Sequence, residues 1–191
     1  MELTPSGEDL VSEVELVQRS QKGDLEAFNQ LVEAYQKMAY NLALRMLGNR
    51  EAAQDATQEA FLAAWRGITG FRGGNFRAWI LHIVANACRD ELRRLKRRPT
   101  TPLDTLTLEP TTTSSPQDQL LNLELGEHIR QGLARLPYEQ HLAVVLCDIQ
   151  GFNYQEIANI MDSSVGTVRS RLSRGRAQLR DYLMEQGTFE P

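Results

Sequence analysis

The segment from Met161 to Arg176 constrains the fold more than any other part of this sequence. It predicts a turn followed by a helix that is apolar on one side and rich in arginine elsewhere. At about 100° per residue, one face collects the apolar side chains Val165, Val168, Leu172, Leu179 and Leu183. The opposite face collects Gly166, Thr167, Ser170, Ser173 and Arg174, with Arg169 and Arg171 on the flanks. One side can therefore pack on a core while the other offers hydrogen-bond donors.

A shorter helix is predicted just upstream, from Tyr154 to Met161, with Ile157, Ala158 and Met161 facing inward. Two helices joined by a tight turn form a helix-turn-helix. Short polar side chains and guanidinium groups suit a helix that enters a major groove. A basic amphipathic helix with solvated arginines is the alternative. The preceding helix and the serine turn favour the helix-turn-helix.

The net charge of −4 conceals an uneven distribution of charge along the chain. Residues 1–70 carry 6 basic and 11 acidic side chains, whereas residues 71–98 carry 8 basic and 2 acidic ones. Residues 99–148 carry 2 and 7, and residues 149–191 carry 5 of each. The basic block suits contact with a polyanion, and the acidic remainder suits a basic protein partner or solubility.

The strongest boundary is the segment Pro99–Gln119, in which Thr, Pro, Ser and Asp dominate. Such a segment buries little apolar surface and interrupts helices, so it predicts an interdomain linker. The flanking sequence shows helical spacing and no alternating strand pattern. We therefore predict an all-α fold of two small helical domains joined by a flexible linker. The expected boundaries are an N-terminal tail (1–12), a first domain (13–98), the linker (99–119), a second domain (120–186) and a C-terminal tail (187–191).

A long helix from Phe76 to about Arg98 follows the glycine-rich loop Phe71–Asn75. Its predicted core stripe consists of Phe76, Ile80, Ile83, Val84, Ala87 and Leu95. Another side lines up His82, Asn86, Arg89 and Arg93, with Trp79 at the edge. Aromatic rings beside positive charge and an exposed loop form a platform for single-stranded nucleic acid. In the alternative, the aromatic rings belong to the core. The sequence leaves open which of Phe71, Phe76 and Trp79 is exposed.

The helix from about Glu51 to Arg66 carries a stripe of alanines and, elsewhere on its surface, Asp55, Gln58, Glu59 and Leu62. Paired carboxylates can act as a catalytic acid and base, but no nucleophile, metal-ligand histidine or phosphate loop accompanies them. We therefore expect no catalytic residues and interpret this face as a docking site for a basic helical partner.

Cysteine, histidine and apolar patterns point away from several other classes of protein. Cys88 and Cys147 show no metal-ligand spacing and are expected to be small buried residues, and no metal or other cofactor is expected. His82, His128 and His141 are expected at the surface or in caps. Neither a signal peptide nor an apolar run of about 18–20 residues is evident, so we expect a cytosolic protein without membrane insertion.

Taken together, these motifs resemble the extracytoplasmic-function (ECF) sigma factors, the smallest members of the bacterial sigma-70 family. Asp55–Trp65 is similar to region 2.2, Phe76–Asp90 to regions 2.3 and 2.4, and Val165–Leu172 to region 4.2. The resemblance spans roughly residues 13–185. It departs from the family pattern at Gln54, where an acidic residue is frequent, and at Ser164, where proline often begins the helix.

The resemblance implies an RNA polymerase sigma factor that directs core polymerase to promoters and helps to melt them. Its implied partners are the clamp helices and flap of core polymerase, minus-35 duplex, separated minus-10 strand and an anti-sigma factor, with no small-molecule substrate. The implied polymerase contacts are Asp55, Gln58, Glu59 and Leu62. The implied minus-10 contacts are Phe71, Arg72, Asn75, Phe76, Trp79, His82, Asn86, Arg89 and Arg93. The implied minus-35 contacts are Gly166, Thr167, Arg169, Ser170, Arg171, Ser173 and Arg174.

Two other functions compete with this interpretation. A free-standing helix-turn-helix repressor or activator requires a dimerisation element and a palindromic site. No heptad run or sensor domain is visible, and such a protein leaves the first helical domain without a role. A nucleic-acid enzyme requires a metal or catalytic cluster, which the sequence does not offer.

Overall fold

The computed structural model describes residues 12–97 and 116–187. It has eight α-helices and no strand within those ranges, which confirms the all-α prediction. The first four helices are α1 (Glu13–Gln21), α2 (Leu25–Leu47), α3 (Arg50–Gly67) and α4 (Phe76–Arg97), with a 3-10 turn at Ile68–Gly70. The last four are α5 (Pro116–Arg135), α6 (Tyr138–Val144), α7 (Tyr154–Ile160) and α8 (Val165–Glu185), with a π-helical turn at Val145–Ile149.

Helix ends in the N-terminal domain (α1–α4) lie where the sequence places capping residues. The Asp24 carboxylate accepts a hydrogen bond from the Ala27 N–H at 3.1 Å and begins α2. Gly48 ends α2 in the left-handed conformation, with φ of 67°, which glycine adopts without a Cβ penalty. Asn49 then caps α3, its side chain accepting from the Ala52 N–H at 2.8 Å. These local signals make the helix boundaries predictable.

Helix α3 packs against both α2 and α4 through its small-residue stripe. Ala53, Ala56, Ala60 and Ala64 are all buried, which allows close approach of the neighbouring helices. The core stripe of α4 differs in part from the prediction. Ile83, Ala87 and Leu95 are only half-buried, whereas Leu81, Ala85 and Cys88 are buried. The buried face of α4 is broader because α3 covers one side of it and the second domain covers another.

The C-terminal domain (α5–α8) encloses its own core around the helix-turn-helix. Ile157 and Ile160 of α7 pack with Val168 and Leu172 of α8, and all four side chains are buried. Asn153 and Glu156 form a capping box at the start of α7, and Ser164 caps α8 by accepting from the Thr167 N–H at 3.1 Å. These caps fix the turn between the two helices.

Glycine at position 132 permits the close approach of α5 to α8. A Cβ at Gly132 would lie 2.5 Å from Leu179 Cδ1 and 2.7 Å from Tyr182 Cδ1. Such distances require the neighbouring side chains to shift, so a larger residue at this position would separate the two helices.

Some sequence-based expectations differ from the structure, and others concern residues outside the described ranges. Helix α5 begins at Pro116, so the last four residues of the predicted linker are helical, while residues 98–115 lie outside the described ranges. Residues 1–11 and 188–191 of the predicted tails also lie outside them. His141 is buried rather than at the surface, because α6 is enclosed by α8. Cys147 is half-buried, and Met161 is half-buried while Ile160 takes the inward position.

Candidate nucleic-acid interface

Three aromatic rings pack together where the loop after α3 enters α4. Phe76 is 1% exposed and belongs to the core, so the expectation that its ring meets nucleic acid is wrong. Phe71 and Trp79 are half-buried, with ring centroids 5.0 Å apart. Phe76 lies 5.5 Å from the Trp79 ring and 5.8 Å from the Phe71 ring, measured between centroids. The buried ring therefore supports two partly exposed ones, which keep accessible surface for stacking.

The loop beside these rings is exposed and anchored at both ends. Gly73 and Gly74 adopt φ values of 88° and 96°, which L-residues with side chains rarely adopt. Gln21 on α1 donates to the Phe71 carbonyl at 2.7 Å and fixes the loop's start. Asn75 accepts from the Ala78 N–H at 2.9 Å, which fixes its end and commits the Asn75 side chain to capping α4. Arg72 is exposed within this loop.

The structure places the four polar residues predicted to share one face of α4 along that helix, namely His82, Asn86, Arg89 and Arg93. The His82 Nδ1–H donates to the Ile160 carbonyl at 2.8 Å, which leaves Nε2 to accept from the Asn86 side-chain amide at 2.9 Å. Asn86 and Arg93 are exposed, whereas His82 and Arg89 are half-buried. The C-terminal domain therefore covers part of the face that the sequence presents as open.

The α8 residues predicted to bind duplex DNA differ in how exposed they are. The exposed ones are Gly166, Arg169, Ser173 and Arg174, and the half-buried ones are Thr167, Ser170 and Arg171. Ser170 Oγ donates to the Thr167 carbonyl at 2.9 Å. Arg171 forms an ion pair with Glu139 at 3.3 Å, and burial with the nearby Arg89 charge lowers its pKa. Arg169 and Arg174 have no acidic partner in the described part of the chain.

A second surface on the N-terminal domain lies between α2 and α3. Asp55, Gln58, Glu59 and Leu62 are all exposed on α3, as expected from their spacing. Gln58 and Leu62 border a groove of about 760 Å³ that the sequence analysis did not identify. Its apolar walls are Leu25, Phe28, Val32, Phe61, Leu62 and Trp65. The groove depends on α2 packing beside α3, which helical periodicity within either helix does not reveal.

Residues 12–97 and 116–187 offer few groups suited to metal binding or nucleophilic catalysis. No three His, Cys, Asp or Glu side chains lie together there as metal ligands. Burial raises the pKa of the Cys88 thiol to about 12, so this cysteine is a poor nucleophile at neutral pH. None of the described helices is long and apolar enough to cross a bilayer.

Comparison with known proteins accounts for both domains. Residues 31–98 match the family model for Sigma-70 region 2, and residues 127–179 match that for Sigma-70, region 4. The chain is 37% identical over 173 residues to the ECF RNA polymerase sigma factor SigM of Mycobacterium tuberculosis, covering 90% of this chain and 85% of SigM. This chain belongs to the ECF sigma factors.

Two further comparisons agree with that assignment. The ECF RNA polymerase sigma factor SigE of Mycolicibacterium smegmatis is 36% identical over 163 residues. The match covers 85% of this chain but only 63% of SigE, so this chain spans less than two thirds of that relative. The structure of CnrH in complex with the cytosolic domain of CnrY superimposes with a TM-score of 0.66 at 26% identity, covering 92% of this chain and 98% of that one. The two-domain helical architecture is thus shared with CnrH.

Proposed function

We propose that this ECF sigma factor directs core RNA polymerase to specific promoters and promotes DNA melting, acting in the cytoplasm as a binding protein rather than an enzyme. The proposed boundaries are residues 13–98 for region 2 and residues 116–186 for region 4, since α5 begins at Pro116. The observation that carries the proposal is the pair of partly exposed rings beside a basic face of α4, in the same chain as a helix-turn-helix with unpaired arginines.

Strand capture is assigned to the loop and the first turns of α4. Phe71 and Trp79 supply stacking surface, and base–aromatic stacking contributes about 1–3 kcal/mol per base. That range offsets the cost of unstacking, which is a few kcal/mol. Asn86 offers an amide to a base edge, while Arg72, Arg89 and Arg93 meet the strand backbone. Asn75 contributes by shaping the loop, since its side chain already caps α4.

Duplex binding is assigned to α8. The exposed arginines Arg169 and Arg174 are available for phosphates or guanine edges, and Thr167, Ser170 and Ser173 are short enough for the backbone to approach the groove. Gly166 lies in the first turn of α8, where backbone N–H groups favour a phosphate. This arrangement positions the domain upstream while α4 engages the separated strand.

Docking on polymerase is assigned to the exposed face of α3 and the adjoining groove. Leu62 provides apolar surface at the groove, and Asp55, Gln58 and Glu59 provide acceptors that suit a basic helical partner. We further propose control by an anti-sigma factor that covers these surfaces. The support is the family resemblance together with a solved structure of similar fold, that of the sigma factor RpoE in complex with the anti-sigma factor NepR from Bartonella quintana.

Reconstituted transcription tests the proposal directly. Purified core polymerase with this chain should initiate from a specific promoter, and core polymerase without it should not. A free-standing repressor would instead bind a palindromic duplex without polymerase and support no initiation. Initiation that is independent of the chain would refute the proposal.

Charge reversal tests the polymerase surface separately. Asp55→Arg combined with Glu59→Arg should weaken association with core polymerase at moderate salt, because a basic partner would face two new positive charges. The fold should be retained, since neither side chain has an ion-pair partner among the described residues. Glu15→Arg with Glu185→Arg is the control, because it makes the same charge change at two exposed residues that have no ion-pair partner in the described part of the chain. Unchanged affinity in the Asp55/Glu59 variant would remove this face from the interface.

A further inference from the structure

The two domains contact each other through α2, which meets the π-helical turn, and through α4, the helix that is proposed to bind the minus-10 strand. Helix α4 packs against α7, and side chains at the start of α6 also reach α4. The contact runs from the first turn of α4 to its middle, where His82 and Arg89 are half-buried, and it leaves the loop that precedes the helix exposed. The C-terminal domain therefore covers part of the proposed strand-binding face.

Glu139 at the start of α6 joins the two DNA-binding elements. Its carboxylate forms ion pairs with Arg89 of α4 and with Arg171 of α8, the latter at 3.3 Å. A carboxylate held between two arginines makes the same kind of charge-assisted contact that a phosphate oxygen would make with either of them. The same acidic residue therefore occupies one arginine from the proposed minus-10 face and one from the proposed minus-35 face.

The two arginines repel one another without that carboxylate. The pKa of Arg171 is lowered, first by burial and then by the charge of Arg89, while its guanidinium stays charged at neutral pH. Its Nη1 atom is also buried without a hydrogen-bond partner. Glu139 is therefore the residue on which the electrostatics of this contact depend.

Further polar contacts join the two domains. The Tyr138 hydroxyl donates to the Ala85 carbonyl of α4 at 2.5 Å. The guanidinium of Arg77 lies 4.1 Å from the centre of the Phe152 ring and 3.7 Å from the Glu156 carboxylate. Together with the His82 bond to α7, these contacts extend from the first turn of α4 to its middle.

The contact combines these polar pairs with the buried Phe152 ring, and it is loosely packed. A cavity of about 290 Å³ lies beside Asn86, Arg89 and Glu139, and another of about 390 Å³ lies beside Arg77 and Phe152. Ion pairs that water can reach contribute little net stability, and polar interdomain interfaces usually permit relative motion. Opening would therefore cost much less than unfolding either domain.

We propose that the chain inhibits itself, with the C-terminal domain closed over the minus-10 face of α4 and Glu139 as the residue that latches it. This rests on the proposed function, because it takes α4 as the strand-binding helix. Promoter phosphates compete with Glu139 for Arg89 and Arg171, so DNA engagement and opening favour each other. The free chain then binds the separated strand more weakly than its open form does, in proportion to the open fraction.

The test substitutes Glu139 in the whole 191-residue chain. Glu139→Arg places a third positive charge between Arg89 and Arg171 and should open the contact. Small-angle X-ray scattering should show the radius of gyration rising by several Å from near the roughly 16 Å expected of a compact chain of this length. Binding of a fluorescent minus-10 single-stranded oligonucleotide should tighten by about three- to tenfold beyond the matched control. Glu185→Arg is that control, because it makes the same charge change on an exposed residue of α8.

A second variant tests the contact without introducing a positive charge that could itself attract the oligonucleotide. Tyr138→Phe removes only the hydroxyl that donates to Ala85 and should shift both measurements in the same direction by a smaller amount. A radius of gyration unchanged in both variants would overturn the closed state. Expansion without tighter binding than in the Glu185→Arg control would overturn the masking role. Failure of the proposed function is seen separately, as absent initiation with core polymerase.

Discussion

Two leucines on the groove between α2 and α3 offer a quantitative test of polymerase docking. Leu62 is 49% exposed and Leu25 is 56% exposed, although both are large apolar residues. Both line the groove of about 760 Å³. Because only about half of each side chain is buried in the free protein, Leu62→Ala should weaken docking while destabilising the fold only modestly.

The expected magnitude follows from the exposed fraction of the side chain. Burying a whole leucine side chain contributes about 1.5–3 kcal/mol. Since 49% of Leu62 remains to be buried on docking, its share is about 0.7–1.5 kcal/mol. That free energy corresponds to about a three- to twelvefold weaker affinity for core polymerase. Leu25→Ala should have an effect of similar size if its side chain is covered to the same extent.

Fluorescence anisotropy of labelled sigma factor titrated with core polymerase measures this change. Met184→Ala is the matched control, because Met184 is 45% exposed on α8 and lies outside the groove. Thermal unfolding should show all of these variants destabilised to a similar, small extent, since about half of each side chain is buried. Wild-type affinity in Leu62→Ala and Leu25→Ala together would show that the groove stays uncovered in the complex.

Three further predictions concern DNA binding and pH. Arg174→Ala should weaken binding to minus-35 duplex by about 1–3 kcal/mol if the side chain contacts guanine. Loss of a phosphate contact would instead weaken binding to the minus-35 duplex and to a scrambled duplex by the same amount, and fluorescence titration of the two duplexes distinguishes these cases. Asn86→Ala should impair open-complex formation more than initial duplex binding. Permanganate reactivity of minus-10 thymines should therefore fall on a linear template and recover on a pre-melted bubble template. Wild-type opening of the linear template by this variant would contradict a role of Asn86 in binding the separated strand. Burial lowers the pKa of His141 from 6.5 to about 4, so protonation favours the unfolded chain and the free energy of unfolding should fall as the pH drops from 6.5 towards 4. Urea titrations should show that dependence flattened in His141→Leu, and an unchanged pH profile would contradict it.

Local features of the structure were the most predictable from sequence. The caps at Asp24, Gly48 and Ser164 mark helix ends because each satisfies backbone groups within a few residues of itself. The alanine stripe of α3 and the apolar face of α8 follow from a helical period of about 3.6 residues. Helix α4 begins at Phe76 as expected, since the preceding glycines and Asn75 end the loop.

Features that depend on packing between helices were less predictable. Periodicity places Phe76 and Trp79 near one another but does not distinguish the ring that the core covers from the ring that stays half-exposed. His141 carries no local signal of burial, because the helix that encloses it lies some thirty residues away in the sequence. The ion pairs of Glu139 also join residues 50 and 32 positions away, Arg89 and Arg171, and no spacing rule relates them.

Ion pairing divides the arginines of α8 into two sets with different roles. Arg171, Arg176 and Arg180 pair with Glu139, Asp148 and Asp181 respectively. Arg169 and Arg174 are exposed and have no acidic partner within residues 12–97 and 116–187. Phosphate contacts release counterions from DNA, and an arginine already held by a carboxylate must first give up that partner. The unpaired arginines are therefore the ones suited to first contact with duplex, while Arg171 becomes available only when Glu139 releases it.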